Sequence, residues 1–228
     1  RCGSKSIKFK NIRDFCGKPL VYWCLNALEK SRYIDKIFLA TDCDEIKSVI
    51  NKFSFSKVDI FNRNKDNASD FASTESVMLE FLDQHDCDND DLFILVQATS
   101  PFIQVKDIDG AFSLFKKDKS DSLMSCVRSK RFLWKENGTP LNYDYLRRPR
   151  RQEFKGTLME NGAFYINFVK NIKQSKNRLS GKISIYEMDE FSTIEIDEED
   201  DWIVAEGLMY KNILNKKLLP NIKLFLSD

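Results

Sequence analysis

The sequence is poor in the residues that build the commonest metal sites. It contains a single histidine, His85, and its six cysteines include no C-x-x-C pair. Zinc fingers draw their ligands from such pairs and from histidines, so this class of site is excluded. Because the cysteines are scattered and several lie in apolar runs, we expect reduced thiols within the core.

An excess of charge of either sign is also missing. The 228 residues carry 36 basic and 35 acidic side chains, which gives a net charge of +1. That balance creates no field to attract nucleic acid or an anionic membrane, so any anion site must be built locally. No apolar run approaches the length of a membrane span, and nothing at the start resembles a signal peptide. We therefore expect a cytoplasmic protein with no nucleic-acid partner and no membrane partner.

The sequence does contain an alternation of helical and strand patterns. Apolar residues at helical spacing predict helices at 19–30, 45–53, 73–84, 108–116 and 195–212. Short apolar runs predict strands at 36–40, 58–61, 91–97 and 122–127. The run at 91–97 is the most apolar and predicts a central strand buried on both faces. This order implies an α/β fold with a layered, mostly parallel sheet, whose ligand lies at the carboxyl ends of the strands.

One polar segment interrupts this rhythm. Residues 135–156 contain Gly138, Pro140 and Pro149, and five basic residues lie between Arg147 and Lys155. Such a composition fits neither a sheet strand nor a core helix. We therefore divide the chain into one domain, made of 1–134 and 157–228, and an inserted excursion at 135–156.

The first residues have the composition of an anion-binding loop. A Gly-Ser pair at positions 3 and 4 lets the backbone approach an anion closely and direct N–H groups at it. Arg1, Lys5 and Lys10 add the positive charge that a triphosphate requires. The spacing is not that of a Walker loop, which is longer and ends in Lys-Ser or Lys-Thr. Taken alone, this loop is equally consistent with a solvated basic terminus.

Six blocks along the chain resemble, in the right order, the motifs of one enzyme family. They are RCGSKSIKFKN at 1–11, GKPL at 17–20, ATD at 40–42, VQATSP at 96–101, RPRRQ at 148–152 with ENGAFY at 160–165, and EID at 195–197 with DW at 201–202. The family is that of the acylneuraminate cytidylyltransferases, or CMP-sialic acid synthetases. One block could arise by chance, whereas six in order are specific.

This resemblance implies a Rossmann-like nucleotidyltransferase sheet. It also implies an activity, the transfer of CMP from CTP to the anomeric hydroxyl of a sialic-acid-type nonulosonic acid with release of pyrophosphate. Mg²⁺ is the implied cofactor, CTP and the nonulosonic acid are the implied partners, and a homodimer formed through the excursion at 135–156 is the implied assembly.

The roles of the family's residues transfer to the matching positions of this chain. Nucleotide binding is implied for Arg1, Ser4, Lys5, Lys10, Asn11, Arg63 and Thr74, and catalysis for Arg1, Lys5 and Lys10. Sugar binding is implied for Gln97, Arg150 and Tyr165, and metal binding for Asp197 and Glu195. Glu195 departs from the family's usual Asp. Alternate positions of a strand would still place both carboxylates on one face.

Other functions remain open at this point. A related enzyme could use an eight-carbon ulosonate or another nonulosonate, and the sequence does not choose among N-acetylated, N-glycolyl and deaminated sugars. A catalytically dead homologue that binds nucleotide would fit the change at Glu195. A sugar-nucleotide glycosyltransferase should carry a D-x-D motif midway along the chain; Asp42-Cys43-Asp44 matches that pattern superficially but lies too early.

Overall fold

A computed structural model of the chain describes residues 6–64, 66–68 and 72–215. The strands are β1 (Asp14–Phe15), β2 (Lys18–Pro19), β3 (Ile37–Thr41), β4 (Val58–Asn62), β5 (Leu92–Val96), β6 (Ser122–Ser129), β7 (Thr157–Phe168) and β8 (Ile183–Met188). The helices are α1 (Leu20–Lys30), α2 (Asp44–Ile50), α3 (Thr74–Gln84), α4 (Val105–Asp118), α5 (Val169–Ser175) and α6 (Glu199–Asn212). Every helix and strand predicted from the sequence is present, with ends shifted by a few residues, and β1, β2, β7, α5 and β8 are additional.

The sheet is mixed because one strand runs against the others. Four strands are hydrogen-bonded in the order β5-β7-β6-β8, and β3 pairs with β4 in a separate parallel ribbon. Strand β7 is antiparallel to both β5 and β6, whereas β6 and β8 are parallel. Strands β5, β6 and β8 therefore share one direction, which confirms the α/β class and its largely parallel character apart from β7.

The prediction of a central strand buried on both faces is wrong for β5. In the described part of the chain, β5 lies at the edge of the four-stranded sheet and all five of its residues are half-buried. The reason is that β7 returns between β5 and β6 and takes the more interior place.

Local sequence explains where the helices begin. Ser73 caps α3, since its side chain accepts a hydrogen bond from the Ser76 N–H. Gln104 and Asp107 form a capping box on α4, and Glu198 and Asp201 form another on α6. The second box starts α6 at Glu199, four residues later than predicted, so residues 195–198 approach the helix in extended form.

Two apolar clusters matter for the position of the site. The larger one packs α1 and α4 against the sheet and includes the fully buried Ile108, Leu123 and Phe164. A second cluster joins the start of the chain to its last helix, through Ile7, Phe15, Leu20, Phe102, Ile196, Trp202, Ala205 and Met209. This cluster holds the residues after Ile7 beside the segment that precedes α6.

Residues 130–156 form an exposed loop with its own aromatic cluster. The ring of Phe132 packs against those of Tyr143 and Phe154, with centroid distances of 4.3 and 4.9 Å. Large apolar side chains of this loop face outward, among them Trp134 and Leu146, the latter 78% exposed. The loop thus combines an internal anchor with an apolar outer surface.

Cys16, Cys24, Cys87 and Cys126 are not disulfide-bonded, and Cys24 and Cys126 are buried in the core as expected, whereas Cys16 and Cys87 are half-buried. Cys43 is disulfide-bonded, so the expectation of reduced cysteines is wrong for this residue. Among the described residues, no helix is both long and apolar enough to cross a membrane.

Candidate functional site

A cleft of about 350 Å³ opens beyond the carboxyl end of β5, where the layered fold predicts a ligand. Three stretches of chain form its walls: the residues after β5, the middle of β7, and the segment before α6. The lining residues are Gln97, Thr99, Ser100, Glu160, Asn161, Gly162, Tyr165, Glu195, Ile196 and Asp197.

A bulge in β7 shapes one wall of the cleft. Tyr165 is opposite Met124 and Glu160 is opposite Cys126, so residues 161–164 of β7 all face the single intervening residue of β6. In a regular strand, side chains five positions apart point to opposite faces. Here the Tyr165 hydroxyl instead donates a short hydrogen bond to Oε1 of Glu160. Gly162 allows the turn of the bulge, because its φ of 65° is one that other residues rarely adopt.

Buried polar side chains brace the bulge from within. Oγ of the fully buried Ser125 accepts a hydrogen bond from the Phe164 N–H at 3.0 Å and donates one to Oδ1 of Asn161 at 2.8 Å. Nδ2 of Asn161 donates to Oγ of Ser192 at 3.3 Å. Since Ser192 lies three residues before Glu195, this network ties the bulge to the acidic wall of the cleft.

Tyr165 is held from its other side by a charged pair. The guanidinium of Arg178 lies 4.9 Å from the centre of the Tyr165 ring, and Nε of Arg178 donates to Glu75 at 2.6 Å. Burial of the hydroxyl, reinforced by its hydrogen bond to Glu160, raises the pKa of Tyr165 to about 12. Tyr165 is therefore a protonated donor throughout the neutral range.

The acidic wall consists of Glu195 and Asp197 on either side of the buried Ile196. The prediction that these residues lie on a strand is wrong, because residues 194–197 make no strand pairing within the described chain. The alternation of exposed and buried side chains nevertheless survives, so both carboxylates face the cleft. Asp201 fixes this segment, since its carboxylate accepts hydrogen bonds from the backbone N–H groups of Asp197 and Glu198.

Lys10, near the start of the sequence, contacts the same acidic wall. It begins a short 3₁₀ turn, Lys10–Ile12, and its side chain is only 12% exposed. Its Nζ donates to the Ile196 carbonyl at 2.5 Å and to Oδ1 of Asp197 at 3.1 Å. Three residues later, Arg13 pairs with Glu199 at 2.5 Å and stacks on the ring of Trp202, which fastens this turn to the start of α6.

The donor set is suitable for Mg²⁺. This ion often takes one or two protein carboxylates and completes its octahedron with substrate phosphate oxygens and water. Glu195 and Asp197 supply such a pair. Within the described residues there is no group of three or more acidic, histidine or cysteine side chains that could hold a metal by itself.

Only some of the residues implied in nucleotide binding lie within the described part of the chain. Arg1, Ser4 and Lys5 lie outside the described residues. Asn11 follows Lys10 in the same turn, and its side-chain Oδ1 is buried with no hydrogen-bond partner in the structure as described. A buried acceptor of this kind is costly unless a ligand satisfies it. Arg63 follows β4 and donates to the Asn67 carbonyl, and Thr74 is the first residue of α3.

The three residues implied in sugar binding are separated. Gln97 and Tyr165 line the cleft together, whereas Arg150 is exposed on the loop at 130–156 and is not part of the cleft wall. Beside Arg150 is a second, open pocket of about 440 Å³ with four basic side chains, lined by Lys130, Arg131, Phe132, Arg148, Pro149 and Arg151.

Several residues of the cleft were given no role from the sequence. Glu160 and Asn161 belong to the ENGAFY block, and Thr99 and Ser100 belong to the VQATSP block, so the motifs contained them. Arg178 and Arg13 carry no motif signal, because their importance comes from stacking and ion pairs across the fold.

Comparisons with known proteins agree with this geometry. A family model described as cytidylyltransferase matches residues 1–218. The chain belongs to the cytidylyltransferase family. The family resemblance drawn from the six sequence blocks is thereby confirmed.

Two fish proteins of this family are similar to the chain. N-acylneuraminate cytidylyltransferase A of Danio rerio is 34% identical over 213 residues, which make up 90% of this chain and 48% of that protein. The N-acylneuraminate cytidylyltransferase of Oncorhynchus mykiss has the same identity and the same coverage. The chain thus spans about half the length of these curated relatives.

A solved cytidylyltransferase structure shares the fold. It is a CMP:2-keto-3-deoxy-manno-octonic acid synthetase complexed with CTP, which covers 93% of this chain and 96% of its own with a TM-score of 0.66. Its sequence is 16% identical to this chain, so the likeness shows the fold alone.

Proposed function

We propose that this cytidylyltransferase-family chain transfers CMP from CTP to the anomeric hydroxyl of a sialic-acid-type nonulosonic acid and releases pyrophosphate. The observation that carries the proposal is the meeting of Lys10 and Asp197 at the wall of a cleft that Gln97 also lines. A cation suited to phosphate, a carboxylate suited to a metal and an amide suited to sugar hydroxyls are thus brought to one place. The names of the two fish relatives support the choice of substrate.

Such a transfer requires positioning and charge neutralisation more than covalent catalysis. The sugar oxygen attacks the α-phosphorus in line with the departing pyrophosphate, while negative charge grows on the α-phosphate oxygens. Lys10 is proposed to stabilise that charge, and Arg1, Ser4 and Lys5 are proposed to hold the triphosphate. Asn11, Arg63 and Thr74 are proposed to contact the nucleoside, and Gln97 and Tyr165 the acceptor.

Mg²⁺ is the proposed cofactor, held by Glu195 and Asp197. When bound, it would supply positive charge to the phosphate oxygens. Asp197 has the shorter and more constrained side chain, so we propose that it is the indispensable ligand.

A homodimer is the proposed assembly, with the excursion at 135–156 as its contact. Within the excursion, Leu141, Tyr145 and Leu146 expose 54–78% of their surface, and Leu133 and Trp134 just before it expose 42 and 48%. An outward apolar surface of this kind is typical of a protein interface. Arg150 lies on the same loop, so a dimer offers a way for it to reach the cleft of the partner subunit. The cytoplasm remains the proposed location on the sequence grounds given above.

The alternative within the enzyme class is a cytidylyltransferase for an eight-carbon ulosonate. The fold likeness to a synthetase for such a sugar is the observation that keeps it open. The other alternative is a homologue that binds nucleotide without turnover, for which the Glu at position 195 is the only sequence argument.

The proposal is tested by pyrophosphate release with Mg²⁺ present. CTP should be strongly preferred over ATP, GTP and UTP, and nine-carbon ulosonic acids should react faster than the eight-carbon sugar. Asp197→Asn serves as the inactive control. Comparable release with UTP or ATP would contradict the nucleotide assignment. A preference for the eight-carbon sugar would select the alternative, and CTP binding without turnover would indicate the inactive homologue.

A further inference from the structure

Glu160 is a carboxylate of the cleft for which neither nucleotide nor metal binding gives a role. It is exposed and lines the cleft together with Gln97, Glu195 and Asp197. Although three carboxylates therefore share one cleft, they do not gather into a group that could hold a metal, within the described residues. Glu160 thus stands apart from the Glu195–Asp197 pair, on the wall that also carries Tyr165.

We propose that Glu160 is the general base that removes the proton from the attacking sugar hydroxyl. The inference rests on the proposed function, because it assigns a role in that reaction. In this step the hydroxyl proton passes to Oε2 of Glu160 as the sugar oxygen forms its bond to the α-phosphorus of CTP. The bond from the α-phosphorus to the bridging oxygen breaks, and its electron pair leaves with pyrophosphate.

The geometry leaves one oxygen of Glu160 for the substrate and holds the other. Oε1 accepts the hydrogen bond from the Tyr165 hydroxyl, and within the described chain Oε2 has no hydrogen-bond partner. The high pKa of Tyr165 keeps this tyrosine a donor, so it orients the carboxylate without competing for the proton. A base held at one oxygen and open at the other meets the geometric requirement for proton abstraction.

The surroundings of Tyr165 make this orientation rigid. Its ring is covered by Arg178, which is fixed by Glu75, and its backbone follows the bulge that Ser125 and Asn161 brace. Arg178 is on this view a positioning residue, since it acts on Glu160 only through the tyrosine.

Asp197 and Glu195 are less suited to the same task. Oδ1 of Asp197 is already occupied, because it accepts a hydrogen bond from Lys10 at 3.1 Å. A carboxylate that neutralises a metal is likewise a weak base. Glu160 forms no ion pair with any described residue, so its Oε2 remains available to the substrate.

The test compares three changes at Glu160 with a matched change elsewhere. Glu160→Gln keeps an acceptor for Tyr165 but cannot take up a proton. Glu160→Asp keeps the carboxylate at a shorter reach, and Glu160→Ala leaves room for added formate. Glu187→Gln is the control, because Glu187 lies in the same row of the sheet, pairs with Arg128 and is not part of the cleft.

Initial rates are measured with Mg²⁺, CTP and the best nonulosonic acid for the wild type. We expect Glu160→Gln to lower kcat by about 10²–10⁴-fold with KM for the sugar changed by less than about threefold, since general-base catalysis contributes that much. Glu160→Asp should retain part of the rate, and formate should raise the rate of Glu160→Ala in proportion to its concentration. Glu187→Gln should match the wild type.

Two results would overturn the assignment while leaving the proposed function in place. One is a Glu160→Gln enzyme with nearly normal kcat, whether or not KM for the sugar rises. The other is a Glu160→Ala enzyme that formate does not accelerate although its melting temperature equals that of the wild type. A wild-type protein that releases no pyrophosphate with any ulosonic acid would overturn the proposed function, and this inference with it.

Discussion

Among single residues, Lys10 has the most consequential position. Its ammonium is almost enclosed and lies between a carbonyl and a carboxylate of the cleft wall. A preorganised cation of this kind contributes most where negative charge increases during the reaction. It should therefore matter more for turnover than for nucleotide affinity.

Replacing Lys10 with Ala should lower kcat by about 10²–10³-fold, the usual effect of losing one preorganised charge contact. Affinity for CTP, measured by calorimetry, should fall much less. Lys8→Ala is the matched control, because Lys8 lies in the same loop with its side chain exposed. Normal turnover combined with weak CTP binding would instead assign Lys10 to ground-state binding.

The two carboxylates of the acidic wall should respond differently to substitution. Asp197→Asn should abolish activity with the fold intact, because Mg²⁺ demands a rigid octahedral geometry. Glu195→Asp should be tolerated or raise activity, and Mn²⁺ should partly restore Glu195→Gln but not Asp197→Asn. The measurements are rates at a series of metal concentrations together with circular dichroism. Full Mg²⁺-dependent activity in Asp197→Asn would mean that this stretch is only a solvated helix start.

Among the elements, β7 forms the wall of the cleft that is proposed to bind the acceptor, and one buried hydroxyl braces its bulge. Ser125→Ala would leave both the Phe164 N–H and Oδ1 of Asn161 without the partner they now have. An unsatisfied buried group costs about 1–3 kcal/mol, so the free energy of unfolding should fall by at least about 2 kcal/mol. Urea denaturation measures this loss.

Ser113→Ala is the control for that experiment, since Ser113 is exposed; its hydroxyl donates to the Asp109 carbonyl of its own helix and makes one further exposed contact, at 3.4 Å from the Tyr33 hydroxyl. Its free energy of unfolding should change by less than about 0.5 kcal/mol. Equal effects of the two substitutions would show that the hydroxyl of Ser125 does not brace the bulge.

Regular elements could be predicted from the sequence, whereas the bulged strand could not. Helices such as α1 and α4 bury one face, so their apolar residues recur at the helical period and reveal them. Strand β7 has no such period, because its bulge changes the face of every side chain beyond Gly162. The position of β5 at the edge of the sheet could not be predicted either, because an apolar run does not show which strands will pair with it.

For the whole molecule, the outward apolar surface at 130–156 predicts assembly. Leu146→Asp should convert the proposed dimer to monomer at micromolar concentration, because a charge would be buried in the interface. Ile203→Asp is the matched control, since Ile203 is 68% exposed but lies on α6. Sedimentation velocity distinguishes the two. An active monomeric wild type at micromolar concentration would contradict the proposed assembly.

Site residues that belong to one short motif could be predicted from the sequence. Contacts between residues that are distant in the sequence could not. Gln97, Tyr165, Glu195 and Asp197 were singled out from their blocks, and the fold brings them to one cleft. The pairing of Lys10 with Asp197 and the contact of Tyr165 with Glu160 depend on tertiary packing and on a bulge. No sequence motif predicts either contact.

The ion pair between Lys10 and Asp197 also sets the time at which a growing chain can become competent. The two residues are 187 positions apart. At a synthesis rate of about 5–20 residues per second, roughly 10–40 s separate their emergence on the ribosome. Throughout that interval the turn that carries Lys10 is present without its acidic counterpart. The proposed catalytic charges can therefore meet only after residue 197 has been made, and a chain that stops before Glu195 has the basic loop but lacks the acidic wall.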